Sequence, residues 1–229
     1  MANEVRGLFV TGTGTEVGKT YVAALIARSL TASGRRVGVY KPVASGCRLE
    51  DGQTVADDAV ALWQAAGRPG TLEQVCPQRF LAPLAPHLSA KAEGRRIDAS
   101  LLHGGLDYWL ANSDIVLVEG VGGLMSPLGE EEYVADLAAE FDYPLVVVSN
   151  NRLGTINATL QTLITATTYR DGLPIAGVVL NNAQPAGNDV SPSSNRAELA
   201  ARCSVPLLAE VAFGAEGFDA EIDWYDWAL

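Results

Sequence analysis

The sequence predicts an α/β fold, a mostly parallel β-sheet with helices on both faces, in a single domain over residues 1–229. Three observations predict it. Short β-rich runs alternate along the chain with longer helical patterns. Several of those runs are continuously apolar rather than alternating, as in strands covered on both faces. The first run also leads through a Gly-rich loop directly into a helical pattern, as when a phosphate-binding loop leaves a parallel sheet.

Gly7–Thr11 (GLFVT) reads as the first strand. Tyr21–Ser33 reads as a buried helix, with Val22, Leu25, Ile26 and Leu30 at helical spacing and Gly34 just past its end. Arg36–Tyr40 is a second strand, stopped by Lys41-Pro42, and Val55–Ala66 a helix. Pro69–Pro86 holds four of the eleven prolines and is expected to be irregular. Ser100–Ala111 is helical in pattern, Asp114–Glu119 (DIVLVE) is the clearest strand, and Gly120–Gly123 a turn. Pro144–Ser149, Ile175–Asn181 and Pro206–Val211 are further strands, with helices at Thr155–Tyr169 and Asn195–Cys203. The acidic, aromatic segment FDAEIDWYDWAL is expected to end in a helix.

Composition bounds the function. Hydrophobic residues make up 48% of the 229, enough for a large core and too many for a disordered chain. The formal charge of −11 argues against binding nucleic-acid phosphates, and no apolar run approaches the roughly 18 residues of a membrane span. Three Cys without a CxxC, and an N-terminus without a signal-peptide pattern, suit a reducing, cytoplasmic location. Cys76 and Cys203 are expected as core thiols, His87 as a structural hydrogen-bonding residue and the four Trp as packing. Two His exclude a His-rich metal site.

In an open parallel sheet, ligands bind beyond the carboxyl ends of the strands, so the chemistry is sought in the loops that follow them. The first is Gly12-Thr13-Gly14-Thr15-Glu16-Val17-Gly18-Lys19-Thr20. Its glycines let backbone N–H groups face phosphate oxygens, and the helix N-terminus adds partial positive charge. Lys19 reaches the terminal phosphates, and the Thr20 hydroxyl can hold Mg2+. Five residues rather than four separate Gly12 from Gly18. The expected ATP contacts here are Glu16, Val17, Gly18, Lys19, Thr20 and the adjoining Tyr21.

A carboxylate at a buried strand tip is costly unless it is paired or binds a cation, which makes Glu119 a candidate Mg2+ ligand. Gly120-Val121-Gly122 after it can pack against a nucleotide. Asp57 and Asp58 stand where they could cap a helix or join the metal shell. Lys41, at the end of the second strand and fixed by Pro42, would lie over the same crevice as Lys19. Two ammonium groups beside a triphosphate suit a reaction that brings a second anion to the γ-phosphate.

TGTGTEVGKT, YKPVASG, LVEGVGG and RLGTIN, in this order and at these intervals, resemble the dethiobiotin synthetase family over nearly the whole chain. Ala85-Pro86-His87 and Glu93-Gly94 also match, and the family's longer P-loop accounts for the extra residue. The resemblance implies a P-loop NTPase fold of the nitrogenase-iron-protein type and a homodimer. It implies a ligase that takes 7,8-diaminononanoate, CO2 or bicarbonate, and ATP as co-substrate, with Mg2+ as cofactor. An amine captures CO2 as a carbamate, ATP phosphorylates it, and the second amine closes the ureido ring, giving dethiobiotin, ADP and phosphate.

By motif match, Lys19 and Lys41 would stabilise the carbamate and the transferring phosphoryl group. Thr15 and Ser45 would hold the carbamate or amine end, and Thr20, Asp58 and Glu119 would ligate Mg2+. Asp58-Ala59-Val60 matches the family's Asp-Ala-Leu better than a register on Asp57 does. Gly154, Thr155 and Asn157 would meet the substrate carboxylate across the dimer, a role suited to a helix N-terminus. Asn181 would meet the adenine, with Asn182 where the family often has Asp and Ala212, before Phe213 and Gly214, where it usually has Pro.

The alternative class is a partition or site-selection switch ATPase, which acts by dimerising on DNA or membrane. Such proteins usually carry a further Lys five residues before the P-loop Lys, where this chain has Gly14, and a basic or amphipathic tail, where this one is acidic. A cobyrinic-acid-type amidotransferase would need a glutaminase domain for which 229 residues leave no room.

Overall fold

The computed structural model describes residues 5–185 and 187–229. β1 (Arg6–Gly12) leads through the Gly-rich loop to α1 (Lys19–Ala32). β2 (Val37–Tyr40) follows, then β3 (Val43–Ala44), a hairpin of β4 (Arg48–Glu50) and β5 (Gln53–Val55), and α2 (Asp57–Ala65). Short pieces fill the middle of the chain: α3 (Leu72–Val75), β6 (Gln78–Arg79), α4 (Pro86–Ala92), α5 (Ala99–Gly104) and α6 (Asp107–Asn112). The chain then runs through β7 (Ile115–Glu119), α7 (Val134–Phe141), β8 (Leu145–Asn150), α8 (Thr155–Thr168), β9 (Ile175–Asn181), α9 (Pro192–Arg202) and β10 (Leu207–Val211).

Six strands form one parallel sheet in the order β10-β9-β8-β1-β7-β2. The continuous apolar runs have the expected cause: every residue of β2, β7 and β8 is buried, and only Arg6 of β1 is not. β1 lies between β7 and β8, so the loops after β1 and β7 open side by side at the carboxyl edge. That places the Gly-rich loop at the centre of the sheet, where a ligand crevice forms.

Several elements depart from the sequence expectations: α9 starts at Pro192 rather than Asn195, and α2 at Asp57, with Val55 instead in β5. α1 starts at Lys19 rather than Tyr21, because the turn from Gly18 is already helical. The helix expected at Ser100–Ala111 is broken into α5 and α6 near Gly105. The Tyr40 hydroxyl donates to the carbonyls of Leu101 and Leu102 there, and a Cβ on Gly105 would lie 2.2 Å from that oxygen. No element was expected over 124–143, yet α7 forms, burying Val134, Ala135, Leu137 and Ala138 on one face. Asp136 accepts from the Tyr133 N–H at 2.8 Å and satisfies one of the free donors at its start. Eight residues beside an acidic run carry too short a period to stand out.

The C-terminal segment forms a turn over Trp224–Trp227 rather than a helix. Tertiary contacts hold it. The Leu229 carbonyl accepts from the Gly7 N–H at 2.8 Å, and Arg6 donates to the Tyr225 carbonyl at 2.9 Å. The guanidinium groups of Arg6 and Arg35 lie 4.7 and 3.7 Å from the Tyr225 ring centre. Trp224, 1% exposed, packs on Phe218. Replacing Trp224 with Ala is therefore expected to destabilise the protein by about 3–5 kcal/mol. Urea unfolding read by circular dichroism measures it; a loss below about 1 kcal/mol would mean the segment is not part of the core.

Candidate active site

The site is built at the carboxyl ends of β1, β2 and β7. Gly18 caps α1 with φ +85°, the left-handed region, and a Cβ there would lie 2.1 Å from the Asn181 amide nitrogen. Glycine is required on both counts. The Asn181 side chain donates to the Val17 carbonyl at 2.9 Å and so braces the loop. Lys19 folds back over the loop and donates to the Gly14 carbonyl at 2.9 Å. Burial pushes its ammonium below the ordinary lysine range, with Glu119 opposing that shift.

β7 carries Glu119 into the crevice with only 1% of the residue exposed. Its Oε1 accepts from the Thr20 hydroxyl at 2.8 Å and from the Lys41 ammonium at 2.6 Å. Lys41, 2% exposed, leaves the end of β2, where its backbone N–H donates to the Val75 carbonyl at 2.7 Å. Asp58 Oδ2 lies 2.9 Å from the same ammonium. Burial alone would lower the Lys41 pKa, but the two carboxylates more than offset this and raise it above the ordinary lysine value. Burial acts against the Asp58 carboxylate, and Lys41 in turn holds it below the usual carboxylate range.

The choice between the two aspartates is geometric. Asp58 faces Lys41, whereas Asp57 is exposed and accepts from the Arg48 guanidinium at 2.7 Å. Successive residues of a helix point about 100° apart, so only one of the two faces the crevice.

A cleft of about 580 Å³ brings together Thr15, Glu16, Gly18, Lys19, Thr20, Lys41, Ser45, Asp58, Glu119, Val121 and Gly122. Its far wall is Pro83–Pro86 with Ser126 and Pro127. Ser126 carries no sequence signal, being an ordinary loop serine. Its Oγ accepts from the Gly123 N–H at 2.9 Å and so shapes the turn after β7. Glu119 Oε2 is buried with no hydrogen-bond partner among the described residues. With the Thr20 hydroxyl and the Asp58 carboxylate it makes an all-oxygen donor set, which fits a hard cation such as Mg2+. No group of three or more His, Cys, Asp or Glu side chains suited to a metal occurs among the described residues. A cation here would therefore complete its shell with phosphate oxygens and water, as Mg2+ does.

The remaining expected residues lie outside this cleft. Val17 and Asn181 support the loop from behind, and Gly120 packs against Phe9 and Val134. The Tyr21 hydroxyl donates to the Ala215 carbonyl, which tethers the segment after Ala212, Phe213 and Gly214 to the start of α1. Asn182 donates to Glu210 and to the Val211 carbonyl. Gly154 caps α8 at φ +95° without a side-chain cap, and the Thr155 N–H donates to the Arg152 carbonyl at 3.1 Å. Thr155 is buried on Ser149 at 2.7 Å, and Asn157 donates to Gln161 at 3.2 Å. His87 Nδ1 is buried without a hydrogen-bond partner among the described residues, so the hydrogen-bonding role expected for it is not seen at that atom. Cys76 is fully buried, and burial pushes its thiol up to about 12, as suits a core residue.

A family profile described as an AAA domain matches residues 6–215. The ATP-dependent dethiobiotin synthetase BioD of Rhodopirellula baltica is 44% identical over 89% of this chain and 82% of its own length. The enzyme of the same name from Aromatoleum aromaticum is 36% identical over 96% of each chain. Among solved structures, a ParA family ATPase from Chlorobium tepidum superposes with a TM-score of 0.56 at 15% identity, covering 94% of this chain and 86% of that one. The signal recognition particle receptor FtsY of Elizabethkingia anophelis gives a TM-score of 0.51 at 14% identity, and this chain spans 59% of its length. Likeness at that identity extends to the P-loop fold alone.

Proposed function

The chain belongs to the ATP-dependent dethiobiotin synthetase family, and from that premise we propose the reaction its cleft carries out. It is an ATP-dependent ligase that forms carbon–nitrogen bonds. In our reading the diamine is 7,8-diaminononanoate. One amine nitrogen adds to the carbon of CO2 and loses a proton, giving a carbamate. A carbamate oxygen attacks the γ-phosphorus, the bond to the β-phosphate oxygen breaks, and ADP leaves. The second amine attacks the carbonyl carbon, a proton departs, and phosphate leaves as the ureido ring closes.

The observation that supports this reading is the pair of buried lysines, 8% and 2% exposed, that line one cleft, one from the start of α1 and one just past the end of β2. A plain hydrolase needs the first. The second suits a reaction whose other partner is also anionic. Lys19 would hold the terminal phosphates, and Lys41 would neutralise the carbamate and the charge that develops as phosphorus is transferred. Thr15 and Ser45, on the cleft wall, would orient the carbamate by hydrogen bonds. Holding both amines on the wall of Pro83–Pro86 would favour ring closure by proximity. Thr20, Asp58 and Glu119 would hold Mg2+, which draws charge from the phosphates. The start of α8 at Gly154, with Thr155 and Asn157, would bind the diamine's carboxylate in the partner of a homodimer. Asn181 and Asn182 with Ala212–Gly214 would flank the base. A cytoplasmic setting completes the reading.

Phosphate release with Mg-ATP, bicarbonate and the diamine, each omitted in turn, tests it. Turnover is expected only when all are present. Steady hydrolysis without the diamine, stimulated by DNA or lipid vesicles, would replace the ligase reading with a nucleotide switch.

A further inference from the structure

The Lys41 ammonium sits between two carboxylates, 2.6 Å from Glu119 and 2.9 Å from Asp58, with its side chain only 3% exposed. Glu119 Oε1 also accepts from Thr20. Thus Lys41 engages the same carboxylates that, with Thr20, make the donor set suited to Mg2+. A divalent cation held by the free Glu119 Oε2, Asp58 and Thr20 competes with the ammonium for the charge of both carboxylates. At such separations two positive charges repel, and the repulsion is strongest in a poorly solvated crevice. The charges also balance: Lys19 and Lys41 against Asp58 and Glu119.

We propose that Lys41 changes partner during the cycle: the Glu119–Asp58 pair holds its ammonium until Mg2+ engages those carboxylates, and metal capture then frees the ammonium for the anionic substrate. This rests on the reading of the cleft as a Mg-ATP ligase site and adds an order to it. The ammonium is masked until the metal and its nucleotide are in place. The carbamate and the metal therefore favour each other's binding, since each draws on one member of the same ion-pair cluster. Asp58 and Glu119 act on the reaction partly as positioning residues, through the lysine they release.

Two measurements test this, and neither uses the diamine or turnover. The first is Mn2+ binding without nucleotide, followed by electron paramagnetic resonance. Lys41→Met removes the competing ammonium and is expected to tighten Mn2+ binding about tenfold or more. Circular dichroism checks that the variant folds. The second is a crystal structure of the wild-type protein with Mn2+ and a non-hydrolysable ATP analogue, so the outcome does not depend on the variant. There the Lys41 nitrogen is expected beyond hydrogen-bonding distance of both carboxylates. Unchanged or weaker Mn2+ binding by the folded variant overturns the exchange. So does an ammonium still bonded to Glu119 in the metal-loaded structure. Failure of the diamine to elicit phosphate release would sink the ligase reading and leave these two results standing.

Discussion

Lys41→Gln is expected to bind Mg-ATP at least as well as the wild type while kcat for ring closure falls by about 10²–10³-fold. The two effects separate because they belong to different states. On the proposed reading Lys19, the loop amides and Thr20 would meet the nucleotide in the ground state, and none of them is altered. In that reading the Lys41 charge would matter most as the carbamate oxygen and the γ-phosphoryl group share negative charge in transfer, so its loss would fall on kcat. Glutamine keeps a donor and most of the bulk at the end of β2, which limits the change to charge. Calorimetric titration with the ATP analogue and single-turnover phosphate release make the comparison. Equal turnover by the two proteins would remove Lys41 from the chemistry.

Glu119→Gln is expected to cost both stability and activity. The wild-type carboxylate is 1% exposed and accepts from Lys41 and Thr20 together. The variant leaves a buried ammonium with only Asp58, whose side chain is half exposed. Breaking a buried ion pair by removing one partner costs about 3–5 kcal/mol, and the surviving Asp58 contact sets the expectation at about 3. At about 2–4 °C per kcal/mol for a chain of this size, that is a fall in Tm of roughly 6–12 °C. Lys41→Met made in the Glu119→Gln background should restore part of the loss, since it removes the uncompensated charge. Scanning calorimetry of the two single variants and the double variant closes the cycle; a double variant less stable than Glu119→Gln alone would contradict the ion-pair account.

The pH dependence follows the same cluster. Lys41, with its pKa raised, contributes its stabilisation in full below the ordinary 10.5 and loses it only as pH climbs above that. Asp58, with its pKa depressed, contributes above the ordinary 3.8 and loses its part as pH falls further. The stability gap between the wild type and Glu119→Gln is thus expected to stay level across the neutral range.

The P-loop was legible because its signal is local. Gly12 to Thr20 encode a strand exit, a left-handed turn at Gly18 and a helix start within a few residues, and the loop's shape depends little on the rest of the chain. The strands were legible because burial on both faces leaves a continuous apolar run, and all six expected strands appear in the sheet. The helix boundaries near Gly105 and the C-terminal turn were not legible, because each depends on a distant partner: the Tyr40 hydroxyl in one case, Arg6 and Gly7 in the other.

The parallel sheet, the phosphate loop and the identity of the charged groups at the strand ends are legible in one dimension, since periodicity and residue chemistry are written along the chain. Which of those charges meet depends on how the elements pack. Lys41 and Glu119 are 78 positions apart, and their contact exists because β2 and β7 are neighbours in the sheet. The same packing turns Asp58 toward the ammonium and Asp57 toward Arg48. Strand order and helix rotation are long-range consequences of burying apolar surface, so a one-dimensional pattern does not specify that a buried ammonium meets both of the expected metal-binding carboxylates.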